Sequence, residues 1–415
     1  MQIFSASQIL PVSSPPISGG AIAVRDGRIA AVGTVEELKA SCGGPVTDFP
    51  GCTIMPGLVN AHTHLELTHF PSWKVRKDLD YLPKSYVQWV SQLVKIRRAL
   101  SREELEHSVH EGIRLCIESG TTTIGEILTD FSLLPLYASS PLGGRYFLEG
   151  IGHDPRGCAE VLKRMEESLQ KPAGKFLPGL SPHAPHTVSG TLFTGMHELS
   201  CRYEARKAIH LSESREEVSF MHDSTGDFAS ILYPAAHWEE YLPSPRRTTS
   251  TAWLDSLGVL DRATAAIHCV HLTPADGAIL RERGCFVVLC PRSNDRLNVG
   301  CAPHHLLKRL GLPLAIGTDS LASNDSISLW DEMRYLRALA PDDFSAAELL
   351  EMATLGGARA LGLQDAVGSL QVGKRADFLV LSHRSCEGCS LHQALLEASR
   401  LEEVYISGAA FSPLS

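Results

Sequence analysis

The stretch Thr53-Ile54-Met55-Pro56-Gly57-Leu58-Val59-Asn60-Ala61-His62-Thr63-His64 decides the fold. An apolar run breaks at Pro-Gly, resumes as a short strand, and ends on two histidines two residues apart. Side chains alternate along a strand, so His62 and His64 leave the same face and one cation can take both imidazoles. Three further short runs end in the same manner: Lys207-Ala208-Ile209 on His210, Ala265-Ala266-Ile267 on His268, and Leu314-Ala315-Ile316-Gly317-Thr318 on Asp319. A lone His-x-His carries little information. Ligand-type residues on several strand ends, in this order, describe a cation held at the mouth of a barrel.

Working outward, apolar strand-like runs alternate from residue 56 with helical stretches such as Glu103–Ser119, Ala159–Leu169 and Leu329–Ala340. That alternation implies βα units and a parallel sheet. Strand ends fall near His64, Glu126, Glu149, His183, His210, His268, Cys290 and Asp319. Eight units with polar residues at those ends make a TIM-type (β/α)8 barrel with its active site at the C-terminal face of the strands. Residues 1–55 read instead as short strands, with Asp26-Gly27 between two apolar runs as a hairpin signal. Residues 366–415 return to strands after the helical Ala353–Leu363 segment. The expected organisation is a barrel over 56–365 and a small composite β-sandwich domain built from 1–55 and 366–415. Residues 215–250 are the longest weakly patterned stretch and are expected to form a lid or subunit contact.

The 415 residues, 44% hydrophobic and 20% charged, describe a globular enzyme with a sizeable core. A net charge of −9 without a basic stripe argues against nucleic acid as a partner. No apolar run approaches the roughly 18 residues of a membrane span. Met1-Gln2-Ile3-Phe4 enters strand-like sequence directly, so export is not expected and the protein is placed in the cytoplasm. Eleven scattered cysteines, several in apolar surroundings, suit reduced thiols. Cys386-Glu387-Gly388-Cys389 has no second pair and reads as a loop.

The motifs Pro56–His64, His210-Leu211-Ser212-Glu213, His268-Cys269-Val270-His271-Leu272 and Gly317-Thr318-Asp319-Ser320-Leu321-Ala322-Ser323-Asn324 resemble those of the amidohydrolase superfamily, in its deaminase and chlorohydrolase branch. The tail, Gly368-Ser369-Leu370 through Gly373-Lys374-Arg375-Ala376-Asp377, is similar to that family's C-terminal β segment. Cys290-Pro291-Arg292-Ser293-Asn294 and the Trp89 segment are similar to aminodeoxyfutalosine deaminases, which act in a route to menaquinone. The resemblance implies a metal-dependent hydrolytic deaminase of an aminopurine nucleoside-like molecule, 6-amino-6-deoxyfutalosine. Alternatives that keep the site are an adenosine or S-adenosylhomocysteine deaminase, or a hydrolase releasing halide, alkylamine or amide from another ring. A non-catalytic barrel is disfavoured, because such proteins lack ligands that are present here.

His62, His64, His210 and Asp319 are the expected ligands of one divalent metal, Zn²⁺ or else Fe²⁺, with a position left for water. Strand four delivers His183, and Lys175 lies at its far end, so no bridging ligand for a second metal is expected. Glu213, just past the His210 strand end, is the expected proton carrier between water and a ring nitrogen. His268 and Asp319 are the expected acceptors of the water's proton. His183 is expected at a substrate hydroxyl, Ser323 at the purine edge, Arg292 at a substrate carboxylate, and Trp89 on an apolar far end. Glu216 and Glu217 read as solvated helix residues, and His271 as structural. The substrate is a small molecule, and the chain is a candidate homo-oligomer.

Overall fold

The computed structural model describes residues 1–171, 173–384 and 388–411; Cys386 and Glu387 of the CxxC segment lie outside the described residues. Two eight-stranded sheets organise it. The first is all parallel. It runs in chain order through Leu58–Thr63, Thr121–Leu128, Gly143–Gly150, Phe176–Pro182, Arg206–Leu211, Thr264–His268, Phe286–Leu289 and Leu314–Ile316, each strand paired with the next. The ring closes through a parallel bridge between Thr63 and Asp319. Helices such as Arg102–Glu118 and Pro155–Leu169 lie between consecutive strands and Leu329–Leu339 follows the last, so this is the (β/α)8 barrel that the alternation implied. Small and branched side chains fill its interior, among them Val59, Ala61, Ala208, Ala265, Ile267, Val288 and Ala315.

The second sheet is mixed and takes strands from both ends of the chain. Gly20–Arg25 and Arg28–Thr34 form the expected hairpin, with Asp26 and Gly27 both at positive φ (52° and 72°). Val46–Pro56 pairs parallel with Gln2–Ile9 on one edge and antiparallel with Phe378–His383 on the other. Because that strand is paired on both edges, it joins the strands of the two termini into the expected composite β domain. Period two explains how it packs. Phe378 and Val380 join Phe4, Ile54 and Tyr405 in the sheet's own core, whereas Leu379 and Leu381 turn to the main core.

The segment that looked weakly patterned holds helix Arg215–Asp223 and a π-helical turn, Phe228–Leu232. Phe220, Phe228, Tyr233 and Trp238 form one aromatic cluster with Tyr86, Val87 and Trp89. The last three belong to helix Tyr86–Arg98, capped by Ser85, whose hydroxyl accepts from the Gln88 amide. This mouth helix and the 215–250 stretch therefore cover one side of the barrel mouth together.

Barrel closure depends on Gly317. A Cβ there would lie 2.7 Å from the His62 Cβ and 2.9 Å from its backbone N and O. Gly317→Ala should cost about 1–3 kcal/mol by overpacking and should weaken metal retention. Denaturant midpoints and bound-metal analysis of the variant check both.

Candidate metal centre and active site

Each ligand-type side chain stands at a strand end because the backbone there stops pairing and turns. Ser212, His268, Cys269 and Asp319 all have positive φ (51°, 68°, 53° and 57°), a conformation that non-glycine residues seldom adopt. Its cost is sustained only where surrounding contacts over-determine it. The amides of Thr318 and Asp319 both donate to the His62 carbonyl, at 3.1 Å each. Asn60 donates its side-chain amide to the Thr318 hydroxyl at 2.7 Å.

This framework brings His62, His64 and His210 together, with candidate ligand atoms within 4.8 Å of one another. Asp319 Oδ1 lies 3.6 Å from His62 Nε2 and 3.5 Å from His64 Nε2. The Asp319 Oδ2 is held separately, accepting from Ser293 at 2.6 Å and from Ser323 at 2.7 Å. His210 Nδ1 lies 3.0 Å from the His183 carbonyl, which can only accept, so Nδ1 carries the proton and Nε2 is free. Both ring nitrogens of His62 are buried without a hydrogen-bond partner. Unpartnered buried nitrogens beside neutral imidazoles and a carboxylate are the donor set of a divalent transition metal, so the residues fit such an ion. Glu149, His183 and His210 form a second convergent group. Since His210 has one free nitrogen, that group is not an independent second site. A third, His197, Cys201 and Asp261, is served by the ammonium of buried Lys207, 2.7 Å from His197 Nδ1 and 2.9 Å from Asp261 Oδ2.

Burial pushes the imidazoles down, to about 3 for His64 and about 4 for His183. Burial opposes ionisation of Asp319, but the facing imidazoles overcome this and hold it well below the usual carboxylate range. The donor set is therefore already in its ligating state near neutrality.

Beside this set, Glu213 and His268 face each other, with Oε1 3.6 Å from Nε2. His268 Nδ1 is 2.9 Å from Asn294 Oδ1, which orients the ring and leaves Nε2 as the acceptor. Glu217, read from sequence as solvated, is fully buried. Its carboxylate accepts from the Ser212 amide (2.9 Å), the Glu213 amide (3.1 Å) and the Ser250 hydroxyl, and burial raises its pKa to about 7. It grips the backbone of the turn that carries Glu213. His183 Nδ1 lies 2.7 Å from Thr187 Oγ1, whose own proton goes to the Ala184 carbonyl, so His183 Nε2 remains an acceptor.

Three substrate-contact expectations meet a changed picture. The Ser323 hydroxyl is committed to Asp319. Arg292 is engaged within the chain, by Asp325 and by Asn324 Oδ1 at 3.3 Å, with Glu332 at 3.8 Å. Trp89 donates its indole N–H to the Ala322 carbonyl at 3.0 Å while lining a groove of about 570 Å³ with Phe70, Leu82, Tyr86, Leu297 and Leu321. Glu126, unassigned from sequence, accepts from the Leu65 amide (2.9 Å) and Tyr137 (2.6 Å), fixing the turn after His64. His271 Nε2 lies 2.8 Å from the Val299 carbonyl, a structural contact as expected.

Residues 53–408 match the amidohydrolase family. The chain belongs to that family. Residues 20–41 also match an imidazolonepropionase-like composite domain of bacteria, in keeping with the sheet shared by the two termini. Among curated relatives, a 5-methylthioadenosine/S-adenosylhomocysteine deaminase of Syntrophobacter fumaroxidans is 35% identical over 383 residues, covering 88% of this chain and 80% of the relative. An adenosine deaminase from Xanthomonas campestris, solved with bound zinc, superposes with a TM-score of 0.79 at 26% identity, covering 99% of this chain and 92% of that one. Helicobacter pylori aminofutalosine deaminase gives 0.82 at 21% identity, covering 99% and 100%, and shares the fold. Membership makes this amidohydrolase a hydrolase with the expected barrel and composite domain. Among the described residues no helix is long and apolar enough to cross a membrane.

The neutral imidazoles set a pH dependence. In the unfolded chain, histidine titrates at about 6.5, well above the depressed folded values of His64 and His183. The unfolded state therefore binds more protons in acid. This stability is fully present above about pH 6.5 and is lost as pH falls toward the folded values. The thermal midpoint of chelator-treated protein should drop steadily across that window, as scanning calorimetry at stepped pH would record.

Proposed function

We propose that this amidohydrolase is a metal-dependent deaminase of an adenosine-type nucleoside substituted at the 5′ side, with 6-amino-6-deoxyfutalosine as its substrate. The observation that carries the reading is the facing pair of Glu213 and His268 beside three imidazoles and Asp319. The names of the relatives, deaminases of adenosine-type nucleosides, support the ring chemistry. His62, His64, His210 and Asp319 hold one divalent ion, for which Zn²⁺ is the proposed metal. When bound, that ion supplies Lewis acidity that lowers the pKa of water from 15.7 toward about 7.

The chain's own groups supply the proton handling. His268 Nε2, held open by Asn294, accepts a proton from the attacking water, with Asp319 as second acceptor. Glu213 carries one proton of the water to a ring nitrogen as a carbon–oxygen bond forms at the amino-bearing carbon; the proton taken up by His268 or Asp319 then passes to the amino group, the carbon–nitrogen bond breaks and ammonia leaves. His183 Nε2 accepts from a substrate hydroxyl, and Trp89 with its groove takes the 5′ substituent. Arg292 is tied to Asp325, which it shares with Arg296, so the cation assigned here to the carboxylate of the futalosine side is Lys84. This exposed side chain lines the groove and has no ion pair among the described residues.

A second reading, deamination of 5-methylthioadenosine or S-adenosylhomocysteine, is favoured by the 35% identity of the Syntrophobacter relative. Ammonia release across adenosine, both of those compounds and aminodeoxyfutalosine decides between them. Highest kcat/KM on aminodeoxyfutalosine supports the proposal, and highest on either sulfur nucleoside rejects it. Glu213→Gln should retain one equivalent of metal and lose about 10²–10⁴ in kcat; near-normal turnover would remove Glu213 from the proton route. Lys84→Met should raise KM about fivefold on the carboxylated substrate alone. Arg292→Met should impair every substrate alike, because it breaks an internal ion pair. Steady-state kinetics on adenosine and aminodeoxyfutalosine separate these two outcomes.

A further inference from the structure

The first residue of the mouth helix, Tyr86, belongs to none of the motifs that mark the site. Its phenol lies 2.6 Å from Glu213 Oε2, and both side chains are buried. The ring itself sits in the aromatic cluster, 5.6 Å from Trp89 and 6.1 Å from Phe228 between centroids. Packing alone would be served equally well by phenylalanine. The hydroxyl is what the site uses.

Glu213 is gripped from two directions. Its amide donates to Glu217, which fixes the backbone of the turn. Its carboxylate accepts from the Tyr86 hydroxyl through Oε2, which leaves Oε1 facing His268 Nε2 at 3.6 Å. A carboxylate on a rotatable stem needs such a donor to keep one oxygen aimed at the reacting groups. A phenol hydrogen-bonded to an anion is a strong, short example. We propose that Tyr86 is a positioning residue for the reaction, holding the Glu213 carboxylate in the orientation from which it carries protons. The proposal rests on the reading of Glu213 given above. Burial raises the pKa of Glu213, and its neighbours, His268 foremost and then Tyr86, counter that rise. Burial also keeps the phenol far above its ordinary value, so Tyr86 remains a donor.

The placement has a consequence for substrate entry. The mouth helix is tied down by the Trp89 indole on the Ala322 carbonyl and by Ser85 on Asp227 Oδ2, at 3.0 Å each. The same helix that walls the groove thus carries the donor that sets the proton carrier. Seating the helix and aiming Glu213 are one event.

The test compares Tyr86→Phe, Glu213→Gln, the double variant and Asp227→Ala. Tyr86→Phe should keep bound metal and thermal midpoint, lower kcat about tenfold and change KM by less than about threefold. In the Glu213→Gln background the same substitution should change kcat by less than about twofold, because the group it acts through is already gone. Asp227→Ala removes one of the two ties, while Trp89 on the Ala322 carbonyl keeps the helix seated and the phenol in place, so it should leave kcat within about twofold. Full kcat in Tyr86→Phe would overturn the proposal. So would an equal loss in the Glu213→Gln background, or the same loss in Asp227→Ala, since either would make Tyr86 a packing residue. Should Tyr86→Phe lower the thermal midpoint, the comparison within the Glu213→Gln background still decides. Near-normal turnover by Glu213→Gln itself would fell the functional reading, whereas an unimpaired Tyr86→Phe beside an inactive Glu213→Gln fells this inference only.

Discussion

The two amides of Thr318 and Asp319 on the His62 carbonyl are the contact on which everything at the mouth depends. They join the last barrel strand to the first, and they do so at His62 and Asp319, two of the proposed metal ligands. Closing the ring and assembling the donor set are therefore one structural act. A chain that closed with the register shifted by one residue would turn His62 and His64 to the opposite face. The glycine at 317 lets the two backbones come this close, and the Asn60–Thr318 bond locks the pairing from the side. Left-handed backbone at Asp319 is the cost of turning the carboxylate inward immediately after the strand.

Burying so many polar groups is tolerable only because nearly every one has a partner on its rear side. Asp319 spends one oxygen on two serines and presents the other to the imidazoles. His210 spends Nδ1 on a carbonyl, His268 on Asn294, and His183 on Thr187. Each rear contact fixes a ring's tautomer and direction, so the front atoms converge without help from substrate. His62 breaks the pattern, with neither nitrogen partnered. It is the residue for which a cation would be worth most, because little besides Asp319 Oδ1, 3.6 Å away, offsets its desolvation.

What could be read from sequence follows from where chemistry constrains residue type. Ligands must end strands and must be His or carboxylate, so His62, His64, His210 and Asp319 stood out, and the alternation of strands and helices gave the barrel. The hairpin at Asp26-Gly27 was legible because only certain residues accept positive φ at both turn positions. The supporting residues were not legible. Glu217 follows Glu216 on a short polar helix and looks solvated, yet the turn at Ser212 rolls that helix so that Glu217 faces inward under the backbone of Glu213. Arg292 stands just past a strand in a promising motif, but its neighbour in space is Asp325, 33 residues later, a pairing that tertiary structure alone reveals. Tyr86 comes from a helix whose position over the mouth depends on aromatic packing with residues 220–238.

That division separates what the barrel provides from what the lid provides. The strand ends deliver the candidate ligands and proton acceptors through backbone geometry that tolerates little change. The mouth helix and the 215–250 stretch instead meet each other through rings and indoles, contacts that repack readily when side chains change. The proposed function assigns substrate choice to this softer layer: Trp89 and Leu82 line the groove there, with Lys84 at its exposed edge. Yet the layer is not independent of the chemistry beneath it, because the Tyr86 hydroxyl reaches from it to Glu213. A change that refits the groove by moving the helix would also move the donor on the proton carrier. Specificity in this amidohydrolase is thereby constrained to vary through residues that line the groove without displacing the helix's first turn.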